Sequence, residues 1–235
     1  MAGRRPEEER AAVRQGVITL KEVRQHPAID AYLRQADIHL AAMGFTEHGH
    51  RHCGLVASIA GNILRRLGRP QRVVELGEIA GYTHDLGNCI SRDRHWITGA
   101  VLVGRILEEM GMPYQEIGVI MGAIGNHEEP EGIPVNDVSA AVILADKTDV
   151  HRSRVRNKDV ATFDIHDRVN YAVVHSFLNV EPQAKQITLT LTIETEICPV
   201  MEYFEIFLTR MVMCRRAAEF LGCQFGLEVN GAKLL

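Results

Sequence analysis

The stretch YTHDLG, residues 82–87, ends an apolar run (Val73, Val74, Leu76, Ile79, Ala80) with a histidine and an aspartate side by side. Two adjacent ionisable groups at the buried end of a helix are costly unless something pairs or coordinates them. What accompanies this doublet along the chain therefore decides how the chain is read.

Upstream, EHGHRHCG, residues 47–54, places three histidines at the head of a helical pattern over 46–67. Val56, Ile59, Ile63 and Leu67 form one apolar stripe, and stepping back by fours from Val56 reaches His52 and then His48. His50 falls on the opposite side, near Arg65. His52, and more weakly His48, should face the core, and His50 should face solvent.

Downstream, His95 shares a face with Gly99, Leu102 and Ile106, and His127 follows Ile117, Ile120 and Ile124 at helical spacing. Asp146 lies in AAVILADKTD, in line with Val138 and Val142. Consecutive helices thus each carry one or two nitrogen or oxygen ligands on the face that should be buried, which suits Zn, Mn, Fe, Ni or Co held in a helical bundle. Cys53, Cys89, Cys198, Cys214 and Cys223 are scattered with no Cys-x-x-Cys spacing, which predicts free thiols and neither a disulfide framework nor a thiolate zinc site.

The pattern predicts helices over 7–15, 19–25, 28–43, 46–67, 71–86, 93–110, 114–127, 136–152 and 165–178. Gly44, Gly68 and Gly111 stand where helices should end, Pro70 and Pro113 where they should begin, and EEPEGIPVN, 128–136, reads as a loop. After residue 183 the period changes. QITLTLTIE, 186–194, alternates as a strand, 199–222 is an apolar-rich helix, and CQFGLEVN, 223–230, is a second strand. The fold expected is mainly α: a helical domain over 1–182 with a small strand–helix–strand appendage over 183–235. Its two strands would pair with each other or with a second copy. The helix, with Tyr203, Phe204, Phe207, Leu208 and Met211, must pack somewhere, as a homodimer interface or as a lid over the substrate site.

A net charge of −4 supplies no basic field, so a DNA duplex is not an expected partner. MAGRRPEEER lacks the apolar core of a signal peptide, and no stretch approaches the roughly 18–20 apolar residues that span a bilayer, so the expected location is cytoplasmic, away from membranes.

The order His, His-Asp, His, His, Asp resembles the HD superfamily of metal-dependent phosphohydrolases over residues 45–156. HCGLVA (52–57) is similar to the family's first-histidine helix, YTHDLG to its His-Asp doublet, and ILADKTD (143–149) to its final aspartate helix. The resemblance implies that His52, His84, Asp85 and Asp146 hold one divalent transition metal, and that Asp85, bridging, holds a second with His95 and His127. His84 and Asp85 would be catalytic, and the reaction would be hydrolysis of a nucleotide or small phosphorylated metabolite by a metal-activated water. His48, Asn88 and Asp149 would stand behind the ligands. Arg152, Arg154 and Arg156, in HRSRVRNK (151–158), are candidates for holding phosphate, with Arg92 and Arg94 as a second group. Glu128, Glu129 and Glu131 form either a solvated loop or a pocket rim.

NHEEPEGIP, 126–134, also resembles the signature of the HD-GYP branch, which cleaves cyclic dinucleotides, but departs from it at Asn126, Glu131 and Ile133, as Asn88 does where that branch has a lysine. Three alternatives stay open: a cyclic-dinucleotide phosphodiesterase, a di-iron oxygenase of the same superfamily, and a silent nucleotide-binding domain.

Overall fold

The ligand-bearing helices form where the spacing predicts them, with shorter ends. The computed structural model describes residues 17–235, so the helix expected over 7–15 lies outside the described residues. Helix α1 (Leu20–Gln25) opens with a capping box in which Thr19 and Glu22 accept from each other's backbone N–H groups. α2 (Pro27–Ala42) begins on its proline. There follow α3 (His50–Arg66), α4 (Gln71–Thr83), α5 (His95–Met110), α6 (Tyr114–Gly125), α7 (Asp137–Lys147) and α8 (Ile165–Ala172).

His84, His127 and Asp149 stand just beyond helix ends, not within helices as the periodicity suggested. For the two histidines the reason is visible. His84 Nδ1 lies 2.9 Å from Gly81 O, and His127 Nδ1 lies 2.7 Å from Ile124 O. Each ring nitrogen thus sits against a carbonyl of the last helical turn, which anchors the ring at the helix end.

α3 and α4 pack closely because small residues line their contact. A Cβ added at Gly81 would lie 3.0 Å from the Ala57 backbone. α7 is apolar all round, with Ala140 to Ala145 fully buried, and it packs against α3, α4, α6 and the C-terminal helix. This sets Asp146 at the centre of the bundle.

The helix expected over 165–178 ends at Ala172. Val173–Glu181 is instead strand β1, which pairs antiparallel with β2 (Gln186–Ile193) across a turn over residues 182–185. The Val173–Val174 pair fits a strand better than a helix, and β2 supplies the backbone partner. α9 (Val200–Phe220) then crosses over, so that β3 (Gln224–Val229) joins β2 in parallel. A tight turn at Asn230–Gly231, both at positive φ, leads to β4 (Ala232–Lys233). The expected two strands are therefore four, in the order β1-β2-β3-β4. The two additional strands are each added by a hairpin, β1 onto β2 and β4 onto β3, and β4 is too short to leave a periodic mark in the sequence.

On β2 the alternation is as predicted: Ile187, Leu189, Leu191 and Ile193 are buried and the threonines between them are not. α9 buries Tyr203, Phe207, Met211 and Cys214 against α7, β3 and their neighbours, so the sheet and the bundle share one core.

Candidate metal centre

Four histidine rings and two carboxylates meet in the bundle. His52 on α3 and His84 after α4 bring their Nε2 atoms to 3.2 Å, and His95 at the head of α5 and His127 after α6 do the same at 3.2 Å. Asp85 stands between the pairs. Its Oδ2 lies 3.6 Å from His52 Nε2 and 3.4 Å from His84 Nε2, and its Oδ1 lies 3.3 Å from His95 Nε2 and 4.0 Å from His127 Nε2. Asp146 Oδ1 closes the first group at 3.3 Å from His52 and 3.6 Å from His84.

The protonation of the rings follows from their other nitrogens. His52 Nδ1 lies 2.7 Å from the Asp149 carboxylate and His95 Nδ1 lies 3.1 Å from Arg92 O, while His84 and His127 face the carbonyls named above. Each of these partners only accepts, so each Nδ1 donates and Nε2 is the nitrogen turned inward. Four Nε2 atoms thus converge on a carboxylate whose Oδ2 is buried with no hydrogen-bond partner. This donor set of imidazoles and carboxylates, with a buried carboxylate oxygen left unpaired, fits divalent transition metals.

The charges agree. Burial opposes ionisation of Asp85, yet His84 and His95 hold its carboxyl well below the usual range. For Asp146 burial is likewise overcome, first by Lys147 and then by the adjacent His52 and His84, which hold its carboxyl well below the usual range. Burial disfavours a charged His84, but Asp85 and Asp146 outweigh it and raise the ring to about 9. Without a metal the site thus draws in a proton.

Asn88 Nδ2 donates to Asp85 Oδ1 and to Asp85 O, both at 3.0 Å, and fixes the carboxylate between the two pairs. His48 precedes α3, so the helical stepping that aimed it at the core does not apply to it. Its Nδ1 contacts Thr46 O at 2.6 Å, and its ring meets His52 edge-on at 5.3 Å. His50 is exposed, but its ring bridges Tyr82 and Asp30.

A cavity of about 370 Å³ opens beside the cluster, lined in part by His48, Arg92, Glu128, Glu129, Arg154 and Arg210. The acidic loop is therefore a pocket rim at Glu128 and Glu129, and Glu128 Oε2 comes within 3.9 Å of both His95 and His127 Nε2. The arginines of 151–158 are largely committed elsewhere. Arg152 pairs with Glu194 at 2.6 Å and Arg156 with Asp37, and neither lines the cavity. Arg154 does line it, but donates to Asp149 O and Glu47 O. Except for Asp149, these acceptors belong to segments distant in sequence, so the local basic run gives no sign of them.

Lys147 was not foreseen. It is 1% exposed, with Nζ 2.8 Å from Asp146 Oδ2, 3.3 Å from Glu128 Oε2 and 2.5 Å from Glu129 Oε2. Its one signal in the sequence is a charge following Asp146 inside an otherwise apolar run.

A buried cluster of histidines and aspartates on the facing ends of helices defines a class of metal-binding helical domain. The HD domain family model matches residues 49–177, more than half of the chain, and this chain belongs to that family. An uncharacterized protein of Methanocaldococcus jannaschii is 27% identical over 158 residues, covering 57% of this chain and 60% of the relative. Among the described residues, no helix is long and apolar enough to cross a membrane.

Proposed function

We propose that this protein hydrolyses a phosphate ester of a nucleotide or small phosphorylated metabolite at a centre of two divalent metals. The observation that carries this reading is the Asp85 carboxylate, with one oxygen facing His52 and His84 and the other facing His95 and His127. Membership of a family of metal-dependent phosphohydrolases supports the same reading.

One metal would be held by His52, His84, Asp85 and Asp146, the other by Asp85, His95 and His127, with Glu128 near enough to join it. Bound metals would supply an acidified water and neutralise the phosphoryl oxygens it attacks. The remaining work falls to the chain. Asp149 accepts the His52 Nδ1 proton and so keeps Nε2 available, Asn88 orients Asp85, and Lys147 balances the charge of Asp146 and Glu128. The Asn126 amide donates back to Gly122 O at 2.9 Å, away from the cluster, where the HD-GYP branch has a histidine. This favours a simple phosphate ester over a cyclic dinucleotide.

The test is metal content per chain by elemental analysis, on protein purified with and without oxygen. It is followed by assays of Mn- and Fe-loaded protein against phosphomonoesters, nucleotides and cyclic dinucleotides. About two ions per chain and oxygen-independent phosphate release are expected. Oxygen-dependent product with iron alone would move the protein to the oxygenase alternative, and binding without turnover to the silent one.

A further inference from the structure

Helix α9 lies outside the family match, yet its Phe207 and Arg210 form part of the wall of the cavity beside the metal cluster. Arg210 Nε donates to Glu129 Oε1 at 2.8 Å, and the guanidinium carbon sits 4.4 Å from the centre of the Phe207 ring. These two contacts hold the guanidinium plane. Glu129 also contacts Lys147, which contacts Asp146, so a chain of ion pairs ties this arginine to the metal cluster.

The three arginines of the cavity differ in what they have left to give. Arg154 directs Nε, Nη1 and Nη2 at backbone carbonyls. Arg92 directs Nη2 at Glu128, while its Nη1 rests against the His95 ring. Among the described residues, no acceptor engages Nη1 or Nη2 of Arg210. A planar fork of four N–H bonds, oriented by its own Nε and by an aromatic face, matches two oxygens of a phosphate group better than a flexible ammonium does.

The geometry points to Arg210 as the residue that anchors the substrate's phosphate, so that the C-terminal helix completes a site the family domain only begins. This inference rests on the phosphate-ester reading above. The cavity, at about 370 Å³, is near the lower end of the roughly 300–1,000 Å³ of small-molecule sites, a size that suits a single mononucleotide or phosphorylated metabolite.

The experiment measures binding of inorganic phosphate by calorimetry to the full chain, as purified and after Mn loading, with metal content measured on the same samples. Arg210→Met should weaken phosphate binding roughly ten- to a hundredfold, the worth of charge-assisted hydrogen bonds, with metal content unchanged. Arg210→Lys, which keeps the charge but not the fork, should fall between, and Arg105→Met on the far surface should bind like wild type. Wild-type affinity in folded Arg210→Met protein would overturn the proposal. So would wild-type affinity in Arg210→Lys should the methionine variant fail to fold, or a wild-type chain that binds no phosphate at millimolar concentration. Arg210-dependent phosphate binding without hydrolysis of any ester would remove the catalytic reading and leave the anchor standing. Hydrolysis with an unchanged KM in Arg210→Met would do the reverse.

Discussion

Asp149 Oδ2 lies 2.7 Å from His52 Nδ1, and both groups are buried, so a carboxylate fixes which nitrogen of the ring faces the metal cluster. Asp149→Asn keeps the shape but offers a weaker, uncharged acceptor. Losses of roughly ten- to a hundredfold in metal affinity follow when such a partner of a ligand histidine is removed. On the proposed two-metal reading, the loss should fall on the ion that His52 and His84 would hold and spare the one that His95 and His127 would hold. Titration against a chelator would show it as one weakened step, and two unaltered steps would refute it.

His95→Ala and His127→Ala, singly or together, should lower metal content from about two ions to about one per chain. The helices bearing them are held by Ile106, Ile117, Ile120 and Ile124, which the substitutions leave alone. Metal content unchanged in the double variant would make both histidines structural and the centre mononuclear.

The metal-stripped protein should carry a pH signature. Burial opposes charge on His84, but Asp85 and Asp146 raise it from 6.5 to about 9. Its contribution to stability is therefore full below pH 6.5 and is lost as pH rises through about 9. His127 behaves oppositely. Burial, then His84 and His95, lower it from 6.5 to about 3, so its contribution is present above pH 6.5 and is lost as pH falls toward 3. The urea midpoint of stripped protein should decline on both sides of about pH 6.5. Metal should take the place of the His84 proton and flatten the alkaline limb. The same alkaline slope with and without metal would contradict this.

Lys147→Met should destabilise the fold by about 3–5 kcal/mol, because it leaves Asp146, Glu128 and Glu129 facing one another with their buried cation gone. Denaturant unfolding measures it directly. A change within about 0.5 kcal/mol, the range of an ordinary surface substitution, would mean that the lysine is not holding these carboxylates.

A Cβ at Gly87 would stand 2.0 Å from His95 O, so Gly87→Ala must push the turn after the His-Asp doublet away from α5. A stability loss of about 1–3 kcal/mol is expected, together with weaker binding of the ion shared by Asp85 and His95. Stability at the wild-type level would show that the two segments separate freely.

The cluster of candidate ligands is legible in the sequence because its members obey a local rule. His52, His95 and Asp146 lie on helices whose apolar periods run for several turns, and a charged or imidazole group recurring on buried faces is visible from spacing alone. The family resemblance then ordered them. Asp149 is read as a support because it lies one turn after Asp146, and Asn88 enters through the family resemblance.

The strand at Val173–Glu181 was not legible, because a chain entering a strand through Val173 and Val174 becomes one only when β2 pairs with it. The ion pairs and carbonyl contacts of the arginines of 151–158 are not legible locally, because Glu194, Asp37 and Glu47, whose groups engage their donors, are far away in sequence. Lys147 and Arg210 owe their placement to Glu128 and Glu129, which stand on a loop without periodicity. Periodic burial could therefore be read one helix at a time and revealed which residues face inward. Which inward-facing charges meet, and which helix covers them, depended on contacts between distant segments, and those form only when the core packs.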